Sequence, residues 1–335
     1  MLLGLPEALP HLVEARYKAA KASQAVVFSP TELAIIHTSR SIPFQLRYCP
    51  SLARKPQPPK NTTPAPKVDV FATPEPDLFI ADVPDVNPSH CLLLNKFPII
   101  PNHFIIATKE NKPQTNLLEE ADLAATYACL NAWEASRQKR LFAFFNSGPY
   151  SGASQPHRHL QLMPVDDMHG TGESAGWDLL LDLILSGEQI ENNILQHPGL
   201  PFFHFAHKFN SEPSDSQLLQ IYVRLYQLAK KAADDYITSH PGQLALHSTT
   251  DGNLPISYNL AMTTAGMAIF PRRSEGHMLR GEDGTDIGYV QLNGTSLGGS
   301  LMVKYEEEWN TLRREAHKLD LILEAIGIPK PAQTT

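Results

Sequence analysis

Residues 146–161 read Asn146-Ser147-Gly148-Pro149-Tyr150-Ser151-Gly152-Ala153-Ser154-Gln155-Pro156-His157-Arg158-His159-Leu160-Gln161. The last five residues suit a β-strand, where every second side chain shares a face. His157, His159 and Gln161 then project together, while Arg158 and Leu160 point away. Two imidazoles and an amide on one face allow three readings: ordinary hydrogen-bonded histidines, a pair of metal ligands, or nucleophilic catalysis by a ring nitrogen. The residues just upstream separate them. Their glycines let backbone N–H groups and serine hydroxyls converge on an anion. No Walker loop occurs, no GxGxxG follows a strand, and HExxH, CxxC and a nearby acidic third ligand are absent. A phosphate cradle abutting a histidine pair favours attack on phosphorus. The pattern predicts His159 as nucleophile, with His157 positioning it or the leaving group.

An imidazole that attacks an α-phosphorus forms a phosphoramidate, a covalent nucleotidyl-enzyme that divides one transfer into two displacements. The ring must be neutral when it attacks, so its other nitrogen should donate to a backbone carbonyl or similar acceptor. Gln161 supplies an uncharged amide donor to a nonbridging phosphate oxygen. It delivers no proton at neutral pH, which suits transfer to a second phosphate better than activation of water.

Working outward, apolar periodicity predicts helices over 11–23, from Thr115 or Asn116 to Arg140, over 216–239 and over 306–326. Short apolar and β-branched runs predict strands at 25–28, 33–37, 90–94, 103–108, 141–145, 157–163, 257–262, 267–270, 287–291 and 301–304. The Pro-rich stretch 50–88 reads as a long extended loop. Leu92–Thr108 and Ser257–His277 echo one another weakly, each placing an Asn, a Pro and a His around apolar runs.

The 335 residues, 42% hydrophobic and 19% charged, suffice for one large core or two smaller ones. Pro6, Glu7 and Pro10 interrupt the apolar start before signal-peptide length, and no run reaches the ~20 apolar residues of a membrane helix. Cys49, Cys91 and Cys129 lie far apart without metal or disulfide spacing, which fits a reducing compartment. A formal charge of −7 argues against a general nucleic-acid or acidic-membrane binder. A small polyanion would need local cations, for which Arg54-Lys55, Lys96, Arg272-Arg273 and Lys304 are candidates.

His157–Gln161 resembles the transferase branch of the histidine-triad superfamily, and Leu92–Pro98 with His103 looks like that superfamily's first strand pair. More narrowly, 146–161 is similar to the fungal diadenosine tetraphosphate phosphorylases, also called ATP adenylyltransferases. Pro50–Pro56, Ser257–Asn259, Pro271-Arg272 and 293–304 are further points of likeness, with Ser296–Ser300 departing from the family pattern. The resemblance implies reversible phosphorolysis of diadenosine tetraphosphate with phosphate to ATP and ADP, through an AMP–His159 intermediate. Carried over residue by residue, Lys55, Asn95, Lys96, Asn146, Gly152, Ala153, Ser154, Gln155, Gln161, Asn293, Gly294, Thr295 and Lys304 would contact nucleotide or phosphate.

The implied fold is α+β: two fused, divergent histidine-triad-like halves around mainly antiparallel sheet, with residues 1–200 forming the catalytic half and 201–335 completing the unit. Because Tyr289–Lys304, taken as the second half's counterpart of the motif, carries no His-x-His-x-Gln, one site per chain and a monomer are implied. Mg²⁺ or Mn²⁺ is expected to accompany the polyphosphate, with no tightly bound protein metal. The implied location is the cytoplasm, with the nucleus also open. A galactose-1-phosphate uridylyltransferase-like enzyme is the nearest rival, but a proline commonly separates its histidines where Arg158 stands here. A metal-dependent nucleotide hydrolase and a non-catalytic nucleotide sensor are further alternatives. His103, His204 and His207 are assigned structural roles.

Overall fold

The computed structural model describes residues 3–54, 69–170 and 172–330. In chain order it begins with α1 (Leu9–Ala22), β1 (Glu32–His37), β2 (Pro43–Tyr48), β3 (Phe79–Val83), β4 (His90–Leu94) and β5 (Phe104–Thr108). Next come α2 (Glu120–Arg137), β6 (Leu141–Ser147), β7 (His159–Pro164), α3 (Val165–His169) and α4 (Leu180–Leu185). The second part comprises β8 (Glu188–Glu191), β9 (Ile194–Gln196), β10 (Phe205–Lys208), α5 (Asp215–Ser239), β11 (Ser257–Thr263) and β12 (Gly266–Arg272). The chain closes with β13 (Gly276–Arg280), β14 (Asp286–Gln291), β15 (Ser300–Val303), α6 (Glu306–Arg314) and α7 (Lys318–Ile326).

Ten strands form one antiparallel sheet in the order β3-β4-β5-β7-β6-β11-β12-β10-β9-β8. The β6–β11 pair is its central seam, where Asn146 stands opposite Asn259. On each side of the seam, three strands, a long helix and two more strands follow in the same chain order and take the same places in the sheet. The counterpart of β7 is therefore β12, not Tyr289–Lys304, and Ser257–Arg272 corresponds to 141–164 instead of to Leu92–Thr108. The weak echo paired the wrong segments because one Asn, one Pro and one His recur by chance more readily than a whole topology.

Period-2 alternation sorts the side chains between two cores. Ala143, Phe145, Leu160 and Leu162 join the cluster under α1, α2 and α5, whereas Phe142, Phe144 and Met163 join the cluster under β1, β2, β15 and the C-terminal helices. His159 and Gln161 have the parity of Met163 and so leave the sheet on the face opposite the long helices. There the small β1-β2-β15 sheet, with β15 parallel to β2, stands near them.

Four local expectations need correction. Residues 25–28 make no strand: they run along the 95–98 loop, with Val27 N–H donating to the Lys96 carbonyl (2.9 Å) and Ser29 N–H to that of Pro98 (3.1 Å). α2 starts at Glu120, because Thr115 is held by Asn253 and by Leu254 N–H, and the Glu119 N–H is capped by the Asp122 carboxylate at 2.7 Å. The apolar phase through 306–326 is continuous, yet the chain bends after Arg314 so that α6 meets β2 and β14 while α7 meets β13. β3 interrupts the stretch 50–88, of which 55–68 lie outside the described residues. No helix among the described residues is long and apolar enough to cross a membrane.

Candidate active site

The turn between β6 and β7 is fixed from both halves of the sheet. Asn259 Nδ2 donates to Asn146 Oδ1 (2.8 Å) and to the Ser151 carbonyl (2.9 Å), while Gly294 N–H donates to the same Asn146 oxygen (2.8 Å). Gly152 takes a φ of +78°, and a Cβ there would lie 2.7 Å from that of Asn293. Loop 293–295 is thereby brought against loop 152–155, although 140 residues of chain separate them. Behind the turn, Arg272 is 2% exposed and directs its guanidinium at Asn259 and at the carbonyls of Ser274, Glu275, Leu292 and Ile326. Burial lowers its pKa to about 9, with the charge of Glu275 opposing part of that shift.

β7 begins at His159, where the pairing with β6 has run out while that with β5 continues. Gln114, a buried residue that no motif announces, takes the place of β6: its Oε1 accepts from His159 N–H at 2.8 Å, and its Nε2 donates to the carbonyls of Asn146 and His159. The His159 ring is 3% exposed. Its Nδ1 lies 2.8 Å from the His157 carbonyl, so Nδ1 carries the proton and Nε2 keeps its lone pair. Burial, aided by the charge on His157, lowers the His159 pKa to about 4, so the ring is neutral at neutral pH. Arg158 points the other way, as alternation requires, to a buried ion pair with Asp122 and a second one with the exposed Glu119.

His159 and Gln161 open onto a cavity of about 740 Å³. Asn95, Lys96, Gly152, Ser154 and Gln155 line it, as do Asn293 and Thr295 from the other half of the chain. The rest is largely apolar, with Leu78, Leu94, Ile100, Phe144, Met163 and Met302 among the walls. Such a space, apolar with a few converging polar groups, suits a nucleotide. His103 also lines it: Asn95 Nδ2 lies 3.1 Å from its Nδ1, and burial lowers its pKa to about 4, with Gln161 beside it opposing part of that shift.

The other predicted site residues stand elsewhere. Asn146 and Gly294 are buried behind the cradle and bond each other, and Ala153 is exposed outside the cavity wall. Lys304 Nζ donates to Gln291 Oε1 at 3.0 Å, away from the cavity, whereas Lys96 pairs with Glu75 at 2.5 Å on the cavity wall itself. Lys55 lies outside the described residues. His204, wholly buried, is held by the Phe202 carbonyl and the His197 N–H, and His207 is half-buried on β10. Among the described residues no three His, Cys, Asp or Glu side chains converge as metal ligands.

Asp69 and Phe71 went unannounced by the sequence. The Asp69 carboxylate lies 2.8 Å from His157 Nδ1, and the Phe71 ring covers His159 with centroids 4.8 Å apart. A single acid beside a Pro-rich stretch has no periodicity to reveal it.

A mixed α/β fold with a mainly antiparallel sheet, and a neutral, tautomer-fixed histidine beside a glycine- and serine-rich turn, defines a nucleotidyltransferase-like protein. Residues 2–175 match the model described as Ap4A phosphorylase N-terminal domain, and residues 198–329 that described as ATP adenylyltransferase C-terminal domain. The chain therefore belongs to the Ap4A phosphorylase/ATP adenylyltransferase family, Ap4A being diadenosine tetraphosphate. It is 28% identical to Protein APA1 of Saccharomyces cerevisiae over 340 residues, covering 98% of this chain and 96% of that one. Against diadenosine 5',5'''-P1,P4-tetraphosphate phosphorylase 2 of the same yeast the identity is 27%, covering 86% and 85%. The crystal structure of yeast Ap4A phosphorylase Apa2 in complex with Ap4A superposes with a TM-score of 0.76 at 24% identity, covering 99% of this chain and all of the other.

Proposed function

We propose that this chain catalyses the reversible phosphorolysis of Ap4A with inorganic phosphate to ATP and ADP. The observation that carries the reading is the His159 ring: its Nδ1–H is tied to the His157 carbonyl, and its unprotonated Nε2 is directed at a nucleotide-sized cavity beside the Gly152–Gln155 turn. Nε2 attacks the α-phosphorus of one adenylyl group. The bond from that phosphorus to its bridging oxygen breaks, ATP departs, and AMP remains on His159. A phosphate oxygen then attacks the same phosphorus, the P–N bond breaks, and ADP leaves with the ring restored to neutrality.

Gln161 donates to a nonbridging oxygen as charge shifts, and Ser154, Gln155 and Thr295 hold the polyphosphate. Lys55, Asn95, Lys96 and Asn293 complete the nucleotide contacts in this reading, with Lys96 released from Glu75. Asn146, Ala153, Gly294 and Lys304 serve through the backbone they position. Mg²⁺ or Mn²⁺ rides on the polyphosphate and offsets its charge. The fold is histidine-triad-like, its divergent halves dividing just before β8 at Glu188 instead of at residue 200, with one site in a cytoplasmic monomer. The test supplies Ap4A and phosphate in one reaction and UDP-glucose and galactose 1-phosphate in another. ATP and ADP in the first alone, with a mass increase of one AMP on the wild-type chain and none on His159→Ala, is the expected result; turnover by the variant at the wild-type rate would overturn it.

A further inference from the structure

His157 lies outside the cavity lining, yet its ring is held on both sides. Nδ1 is 2.8 and 2.9 Å from the two Asp69 carboxylate oxygens, and Nε2 is 2.7 Å from the Thr108 carbonyl. A carboxylate and a carbonyl both accept, so the paired bonds form in full only when both ring nitrogens donate. The ring is 1% exposed, and the Asp69 carboxylate lies directly against it. Asp69 is itself a hub: it accepts from Phe71 N–H (3.0 Å), Ala72 N–H (3.2 Å) and Asn111 Nδ2 (2.7 Å). That turn lays Phe71 over His159 and edge-on to His157, with centroids 5.6 Å apart in the second case.

The backbone of His157 has a separate task, since its carbonyl receives Nδ1–H of His159. Clamping the His157 ring between Asp69 and Thr108 fixes the residue whose carbonyl selects the tautomer and direction of the nucleophile. We propose that Asp69 is a positioning residue for adenylyl transfer: through His157 it aims His159, and through Phe71 it covers the ring that reacts. This deepens the adenylyl-transfer reading and rests on it. Phe71 belongs to a small satellite cluster with Cys91, Leu93, Ile105 and Ala107, apart from the two main cores, so loosening it leaves those cores intact.

The test compares wild type, Asp69→Asn and Asp69→Ala in a single turnover with saturating Ap4A, following AMP on His159 by intact mass, alongside equilibrium binding of Ap4A. Asn keeps an oxygen for the Phe71 and Ala72 N–H groups while losing the charge, so it is the variant that preserves the turn. Misplacing a reacting group by about 1 Å costs up to about 100-fold, so adenylylation should slow by about 10-fold in Asp69→Asn and about 100-fold in Asp69→Ala, with Kd changed less than about threefold. A second readout is ¹⁵N NMR of histidine-labelled protein, with the His157 signals assigned through His157→Gln: both ring nitrogens should be protonated in wild type and only one in Asp69→Asn. Wild-type adenylylation rates in both variants, or a loss confined to Kd, would overturn the proposal. A wild-type chain that forms no AMP–His159 from Ap4A would instead defeat the reading on which it rests.

Discussion

Asn146 and Asn259 face each other across the β6–β11 seam, the amide of the second donating to the oxygen of the first at 2.8 Å. Through this pair the two flanks of the sheet share a hydrogen-bond network that ends at Ser151 on one side and Gly294 on the other. Asn146→Ala strands the buried Gly294 N–H, at about 1–3 kcal/mol, and leaves the Asn259 amide with the Ser151 carbonyl as its remaining acceptor. Urea denaturation should show the loss, and KM for Ap4A should rise with it, since loops 152–155 and 293–295 both move. An unchanged KM in a destabilised variant would disconnect this network from the cavity.

Gly152→Ala combines a left-handed backbone with a Cβ 2.7 Å from that of Asn293 and 3.0 Å from the Leu292 carbonyl. The neighbour on the far side is backbone, so relief requires the two loops to part. Weaker Ap4A binding, by about 10-fold if it forfeits one good hydrogen bond, should appear in calorimetry while His159 can still be adenylylated. Binding as tight as wild type would mean that the loops part without loss.

Gln161 lines the cavity next to His103 but has no proton to exchange at neutral pH. Gln161→His supplies a general base close to the AMP–His159 phosphorus. Water should then compete with phosphate, and the ratio of AMP to ADP produced at limiting phosphate should increase. Chromatography of the products measures it, and a ratio equal to wild type would remove Gln161 from acceptor selection.

The pH response follows from three buried rings. His103 and His159 have pKa values lowered to about 4 and His204 to about 3, from an ordinary 6.5. Between those limits the unfolded chain binds more protons than the folded one, so stability is complete above about 6.5 and falls with pH toward 4 and below, by up to about 3 kcal/mol each for His103 and His159 and about 5 kcal/mol for His204. Urea midpoints at pH 7, 6 and 5 should decline in order. The rate of adenylylation, which needs neutral His159, should hold across the same range and drop only near pH 4; an acid limb centred at 6.5 would contradict this.

Much of the site was legible because it is local. Alternation in His157–Gln161 placed Arg158 opposite its neighbours, and the cradle is continuous in sequence with the strand it precedes. Gln114, Asp69 and Phe71 were not legible: each acts by a single contact made possible only when distant segments meet, and none belongs to a periodic pattern. The long helix 306–326 failed for the converse reason, since its apolar phase is unbroken and only the surfaces beneath it demand a bend. Arg272 and Arg273 looked like cations for a polyanion, but one is spent on buried carbonyls and the other on Gly327, Glu324 and Tyr236.

The seam at the middle of the ten-stranded sheet has a consequence for descent. Parting the sheet between β6 and β11 would bare two long raw edges, each ready to pair with any strand it met. A gene that lost either portion would therefore yield an aggregating product as well as an inactive one. Such a joined chain is ratcheted: the flank that lacks the histidine pair carries Phe270 and Arg272 on β12 in place of it, but it is not free to be deleted.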